Sequence, residues 1–121
     1  MSPKKILIVE DEEVIRRLCG RLLSKAGREL LLVETVQEAF DAIKNNEWDL
    51  LVTDLRLPDG HGVDVILRFK EKFPDRKALI ITGSPTPEDR LSQIESLYVE
   101  CIFKPFEPPV LEAAVRKALG E

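Results

Sequence analysis

At 121 residues the chain has the length of one domain, and its 44% apolar and 33% charged content excludes both disorder and a membrane class. Eighteen Lys and Arg against twenty-two Asp and Glu give a net charge of −4, with no basic cluster beyond pairs, so no direct nucleic-acid contact is expected. No apolar run is long enough to span a bilayer and no charged-then-apolar leader opens the chain, which points to a cytoplasmic protein without membrane contact.

In chain order, two hydrophobic periods alternate. A first strand, KILIV (5–9), leads into a helix carrying Val14, Ile15, Leu18, Leu22 and Leu23, with Gly27 following it. ELLLV (29–33) is the second strand, and Thr35 caps a second helix on Val36, Phe40 and Ile43. DLLVT (49–53) precedes a third helix on Val63, Ile66, Leu67 and Phe73, closed by Pro74. ALIIT (78–82) precedes a fourth, on Leu91, Ile94 and Leu97. ECIFK (100–104) precedes a fifth, opened by Glu107 and Pro108, on Val110, Leu111, Ala114, Val115 and Leu119. The strands are short continuous apolar runs, as strands buried on both faces are. Strand-helix alternation repeated five times implies an α/β fold, a parallel sheet with helices on both faces. The whole chain, 1–121, reads as one domain.

Open parallel sheets bind ligands beyond the carboxyl ends of their strands, at a topological switch point. Here those ends carry Glu10 and Asp11, then Glu34, Asp54, Thr82 and Lys104. With the strand order 2-1-3-4-5, strands one and three are neighbours, and Glu10, Asp11 and Asp54 converge beside Thr82 and Lys104. Two carboxylates about 4 Å apart repel by roughly 4 kcal/mol at an effective dielectric of about 20, so three need a cation or a proton. Mg²⁺ fits, since it takes one or two carboxylates, waters and phosphate oxygens. Lys104 and Thr82 can bind a phosphoryl group. Asp54 is the carboxylate placed to attack a phosphoryl donor.

The motifs IVED (8–11), DLRLPDGHG (54–62), ITG (81–83) and KPF (104–106), in this order at strand ends, resemble those of the receiver domain of two-component response regulators along the whole chain. The resemblance implies a doubly wound, flavodoxin-like fold in which Asp54 accepts a phosphoryl group from the phosphohistidine of a sensor histidine kinase or phosphotransfer protein. It further implies that Asp11 binds Mg²⁺ directly, Glu10 largely through water and Arg56 through its backbone carbonyl, with Thr82 and Lys104 on the phosphoryl oxygens. A cis peptide between Lys104 and Pro105 is expected. Phosphorylation would change partner affinity at the face of helix four, strand five and helix five, with a downstream protein, a fused output domain or a second copy in a phosphorylation-dependent dimer as the partner. Self-phosphorylation from a phosphodonor and slow self-dephosphorylation are the only turnover expected.

Cys101 stands three residues before the lysine, where the family usually has Tyr or Phe, so Phe103, on the same strand face, and Tyr98 are the candidate substitute rings. The alternative reading is a receiver-fold binding module that signals without phosphate. Cys19 and Cys101 lack CxxC spacing and read as reduced, buried thiols. Among the bland assignments, Leu97 and Tyr98 read as core packing, His61 as a solvated turn residue, and the run RFKEKFPDRK (68–77) as a solvated helix face. Arg56 reads equally as a solvent-facing loop residue or as one leaning over the phosphoryl group.

Overall fold

A computed structural model of the protein describes residues 2–83, 88–97 and 99–121, with the backbone alone at 88 and 89. The elements run β1 (Lys4–Val9), α1 (Glu13–Leu23), β2 (Arg28–Val33), α2 (Val36–Asn45), β3 (Leu50–Thr53), β4 (Arg56–Leu57), β5 (Gly60–His61), α3 (Gly62–Lys72), β6 (Lys77–Thr82), α4 (Glu88–Ser92), a 3₁₀ turn (Glu95–Leu97), β7 (Glu100–Phe103) and α5 (Pro108–Leu119). Five strands form one parallel sheet in the order β2-β1-β3-β6-β7. Counting sheet strands alone, this is the expected 2-1-3-4-5, an α/β, flavodoxin-like arrangement. The two remaining strands are a small antiparallel hairpin, Arg56 opposite His61 and Leu57 opposite Gly60.

Side-chain alternation along the strands builds two cores. Leu7, Val9, Leu51 and Ile80 face Ala39, Ile43, Val63, Ile66 and Phe69 of α2 and α3. Ile6, Ile8, Val52, Leu79 and Ile81 face Cys19 and Leu23 of α1 and Leu111, Val115 and Leu119 of α5. Such double coverage makes the central strands apolar on both faces, as β1, β3 and β6 are.

The edge strands depart from that expectation. In β2 exposed residues alternate with partly buried ones, and in β7 only Ile102 is buried. Cys101 is therefore exposed, whereas Cys19 is buried as expected. An edge strand is flanked on one side only, so an apolar run there need not be enclosed.

Helix ends follow local chemistry. Thr35 Oγ1 accepts from the Glu38 N–H at 3.0 Å while Glu38 Oε1 accepts from the Glu34 N–H at 3.2 Å, which satisfies two donors at the start of α2. Glu107 precedes Pro108 at the start of α5. Gly27, at φ 85°, serves the turn into β2 rather than the end of α1, which stops at Leu23. The fourth helix is broken into α4 and the 3₁₀ turn. Leu91, Ile94 and Leu97 are spaced by threes, and the hydrogen bonds Ile94 N to Leu91 O and Leu97 N to Ile94 O close three-residue turns on that period. Ile94 is buried and Leu97 packs against the core, while Tyr98 lies outside the described residues. Among the described residues, no helix is long and apolar enough to cross a membrane.

Candidate functional site

The carboxyl ends of β1, β3, β6 and β7 meet at one edge of the sheet. The Asp54 N–H donates to Val9 O at 2.9 Å, extending the β1–β3 ladder one step and bringing Asp54 beside Glu10. Asp54 is 5% exposed. Its Oδ1 accepts from the N–H of Leu55 at 2.6 Å and of Arg56 at 3.4 Å, an Asx-type turn that fixes the side chain over its own loop. Its Oδ2 lies 2.9 Å from Lys104 Nζ.

Lys104 reaches this point from the end of β7. Its N–H donates to Thr82 O at 2.8 Å, and its aliphatic stem runs beside Gly83, where an added Cβ would make ordinary van der Waals contact with it. The Lys104–Pro105 peptide is cis, as expected. The ammonium meets three carboxylates, with Glu10 Oε1 at 2.7 Å, Asp54 Oδ2 at 2.9 Å and Glu12 Oε1 at 3.0 Å. Burial opposes its charge, but the contacts with Glu10, Asp54 and Glu12 outweigh burial and hold the lysine above its ordinary pKa.

Glu10 is fully buried. Its Oε2 accepts from the Glu12 N–H at 3.1 Å, whereas its Oε1, although close to Lys104, has no aligned hydrogen-bond donor. Burial pushes its pKa up to about 7; Lys104 and the Glu12 N–H pull it down, and the charge of Asp54 adds to the rise.

One carboxylate differs from the sequence reading. Oxygens of Glu10, Glu12 and Asp54 lie within 4.8 Å of one another and form a set able to hold a cation. The Asp11 side chain stays outside that set and is exposed, while its carbonyl accepts from Arg16 at 3.2 Å. Arg16 also donates to Glu10 O at 3.1 Å and pairs with Glu34 at 3.0 Å, so it braces the acidic loop from the α1 side. Glu12 was missed because four successive acids, Glu10 to Glu13, do not reveal which side chain turns inward; the ammonium of Lys104 decides it.

The remaining site residues are placed as follows. Thr82 is buried at the end of β6, in register with Phe103. Arg56 is exposed at the start of β4. His61 is not a free turn residue: its Nδ1 accepts from the Val63 N–H at 3.1 Å and caps α3. Asp59, in the hairpin turn, accepts from the N–H groups of Val36 and Gln37 at 2.7 and 3.0 Å, docking the loop after Asp54 onto the start of α2. The Pro-Asp-Gly sequence was a legible turn signal for this hairpin. Arg90 and Asp64, 2.8 Å apart, tie α4 to α3.

The response regulator receiver domain family matches residues 6–116. The chain belongs to this family. As a receiver domain it is of the kind that serves phosphorylation-dependent signalling in two-component systems. It is 34% identical over 98% of its length to a probable transcriptional regulator, ycf27, of Porphyridium aerugineum, and spans 49% of that relative. It is 28% identical over 96% of its length to a chemotaxis protein CheY homolog of Campylobacter jejuni, and spans 92% of that protein. The chain thus spans about half of one relative and nearly all of the other. A CheY-like receiver domain structure from Methanospirillum hungatei superposes with a TM-score of 0.89 at 26% identity, covering 98% of this chain and 95% of that one.

Proposed function

We propose that this receiver domain is a phosphorylation-dependent switch in which Asp54 takes a phosphoryl group from the phosphohistidine of a sensor histidine kinase or phosphotransfer protein. The observation that carries this reading is the buried Asp54 carboxylate, held by two backbone N–H groups on one oxygen and by Lys104 on the other. In the transfer, an Asp54 carboxylate oxygen forms a bond to phosphorus while the bond from phosphorus to the donor histidine nitrogen breaks, and that nitrogen keeps the electron pair. Water later adds to phosphorus, releasing inorganic phosphate and the Asp54 carboxylate.

The donor set suits Mg²⁺: carboxylate oxygens are hard ligands, and the buried Glu10 Oε1 lacks an aligned donor. Asp54, Asp11, Glu10 and the Arg56 carbonyl are the residues that would hold it, Asp11 by turning in its exposed side chain from outside the cluster. Bound there, it would supply positive charge against the charge gathering on the phosphoryl oxygens. Lys104 supplies a second positive charge, and Thr82 a hydroxyl at the same edge.

The output surface of this reading is the face of α4, β7 and α5. Leu91, Phe103 and Val110 are exposed apolar side chains, one on each element, and Cys101 is exposed beside them. That supports a docking face for a downstream protein, an output domain or a second copy.

Incubation with Mg²⁺ and acetyl phosphate, followed by intact mass measurement, tests the proposal. One Mg²⁺-dependent phosphoryl addition is expected on the parent and none on Asp54→Asn. No addition to either folded protein, with a phosphohistidine donor also failing, would favour the phosphate-independent module.

A further inference from the structure

We infer that Glu12 is a positioning residue for the phosphoryl transfer, its carboxylate competing with the incoming phosphoryl group for the ammonium of Lys104. The inference rests on Asp54 as the acceptor. An ammonium has three N–H donors, and three carboxylate oxygens surround Lys104 at 2.7, 2.9 and 3.0 Å. Two of these contacts, to Asp54 and Glu12, are aligned hydrogen bonds, and Glu10 crowds the third side of the ammonium without one. To contact a phosphoryl oxygen, Lys104 must give up one partner.

The three partners are not equally easy to leave. Glu10 is fully buried, and its other oxygen is held by the Glu12 N–H. Asp54 becomes the phosphorylated group. Glu12 has a side chain 60% exposed, so water can take over its carboxylate when Lys104 turns away. An exposed ion pair contributes little, whereas stranding a buried carboxylate costs far more. Glu12 is the arm that yields. Until it does, its negative charge lies within 4.8 Å of an Asp54 oxygen and opposes an anionic donor.

Removing that charge should speed phosphorylation while leaving the acceptor intact. At saturating Mg²⁺, Glu12→Gln is expected to react with acetyl phosphate about threefold faster or more, with a weaker dependence on ionic strength. Glu12→Asp should return toward the parent rate. Glu13→Gln removes the same charge one residue away, where the side chain is exposed and pairs with Arg17, and should leave the rate unchanged. A second readout needs neither phosphate nor metal: without divalent ions, the shift that Glu12→Gln makes in the folding equilibrium constant should differ between the parent, where it breaks the Lys104 pair, and a Lys104→Met background, where it removes only a like charge. A Glu12→Gln rate equal to that of Glu13→Gln, or below the parent, overturns the inference, as does an equal equilibrium shift in both backgrounds. If the parent itself takes no phosphoryl group at Asp54, the acceptor reading fails instead and takes this role with it.

Discussion

Gly62 lies against the backbone of Asp54. A Cβ built on Gly62 would fall well inside contact distance of the Asp54 carbonyl oxygen and 2.9 Å from Leu55 Cα. Its N–H donates to Leu55 O at 2.7 Å, so the start of α3 is clamped onto the loop that follows Asp54. Neither neighbour is a flexible side chain that could move aside. Gly62→Ala is expected to destabilise the fold by about 3 kcal/mol, the upper part of the usual overpacking range. Urea unfolding checks this. The phosphorylation rate should fall as well, because the loop that must shift carries Asp54; a variant of parental stability and rate would show that the loop yields freely.

Lys104 is the ammonium shared by Glu10, Glu12 and Asp54. Lys104→Met leaves buried carboxylates without that partner and is expected to cost about 3 kcal/mol when divalent ions are chelated. A cation entering the cluster no longer competes with the ammonium in this variant. Mg²⁺ should therefore raise the unfolding midpoint of Lys104→Met more than that of the parent, as linkage requires for tighter binding to the folded state. Paired urea titrations in EDTA and in Mg²⁺ measure the difference. An equal Mg²⁺ increment in both proteins would mean that lysine and metal do not share ligands.

How much of this was legible beforehand depends on what each residue needed as information. The central strands and the convergence of Glu10, Asp54 and Lys104 follow from apolar runs ending in polar residues, because a parallel sheet aligns its carboxyl ends. The inward turn of Glu12 rather than Asp11 depends on a lysine far along the chain and on the bend of one loop. His61 acts as a cap only because the hairpin of β4 and β5 aims its ring at the Val63 N–H. The run Glu100–Phe103 reads like a buried strand although the expected order 2-1-3-4-5 already puts it at an edge, and the structure adds how little of that edge is covered.

That edge position makes the two thiols chemically distinct. Cys19 is fully buried, and burial pushes its pKa up to about 11, with the charge of Glu10 adding to the rise. Cys101 is exposed, though partial burial raises its pKa too. Since the thiolate is the reactive form and access is also required, both factors protect Cys19. Under native conditions an alkylating reagent is expected to label Cys101 alone, and Cys19 should react only after denaturant is added. Peptide mapping of the labelled protein assigns the site. Native labelling of Cys19 at a similar rate would mean that the packing of α1 against the sheet opens readily.

Away from the acidic edge, Arg28 ties the start of β2 to α5. Its side chain is 1% exposed and pairs with Glu112 at 3.3 Å and Glu121 at 2.7 Å, while Lys25 lies 2.6 Å from Glu112. Burial would raise the pKa of Glu112, but hydrogen bonds from Lys25 and Arg28 prevail and hold it below the ordinary value. Glu121 is likewise held down, chiefly by its hydrogen bond from Arg28. Because both carboxyls are more acidic in the folded chain than in the unfolded one, their stabilisation is complete above the ordinary glutamate range. It is lost as pH falls through the folded pKa values. Glu112→Gln should therefore cost about 2 kcal/mol at neutral pH, a charged hydrogen bond beside a buried guanidinium. The gap to the parent should close below about pH 4. Glu121→Gln, at a more exposed carboxyl, should cost about 1 kcal/mol or less. Urea midpoints measured across the acid range decide the matter, since a Glu112→Gln deficit that persists undiminished at low pH would assign the loss to packing rather than to charge.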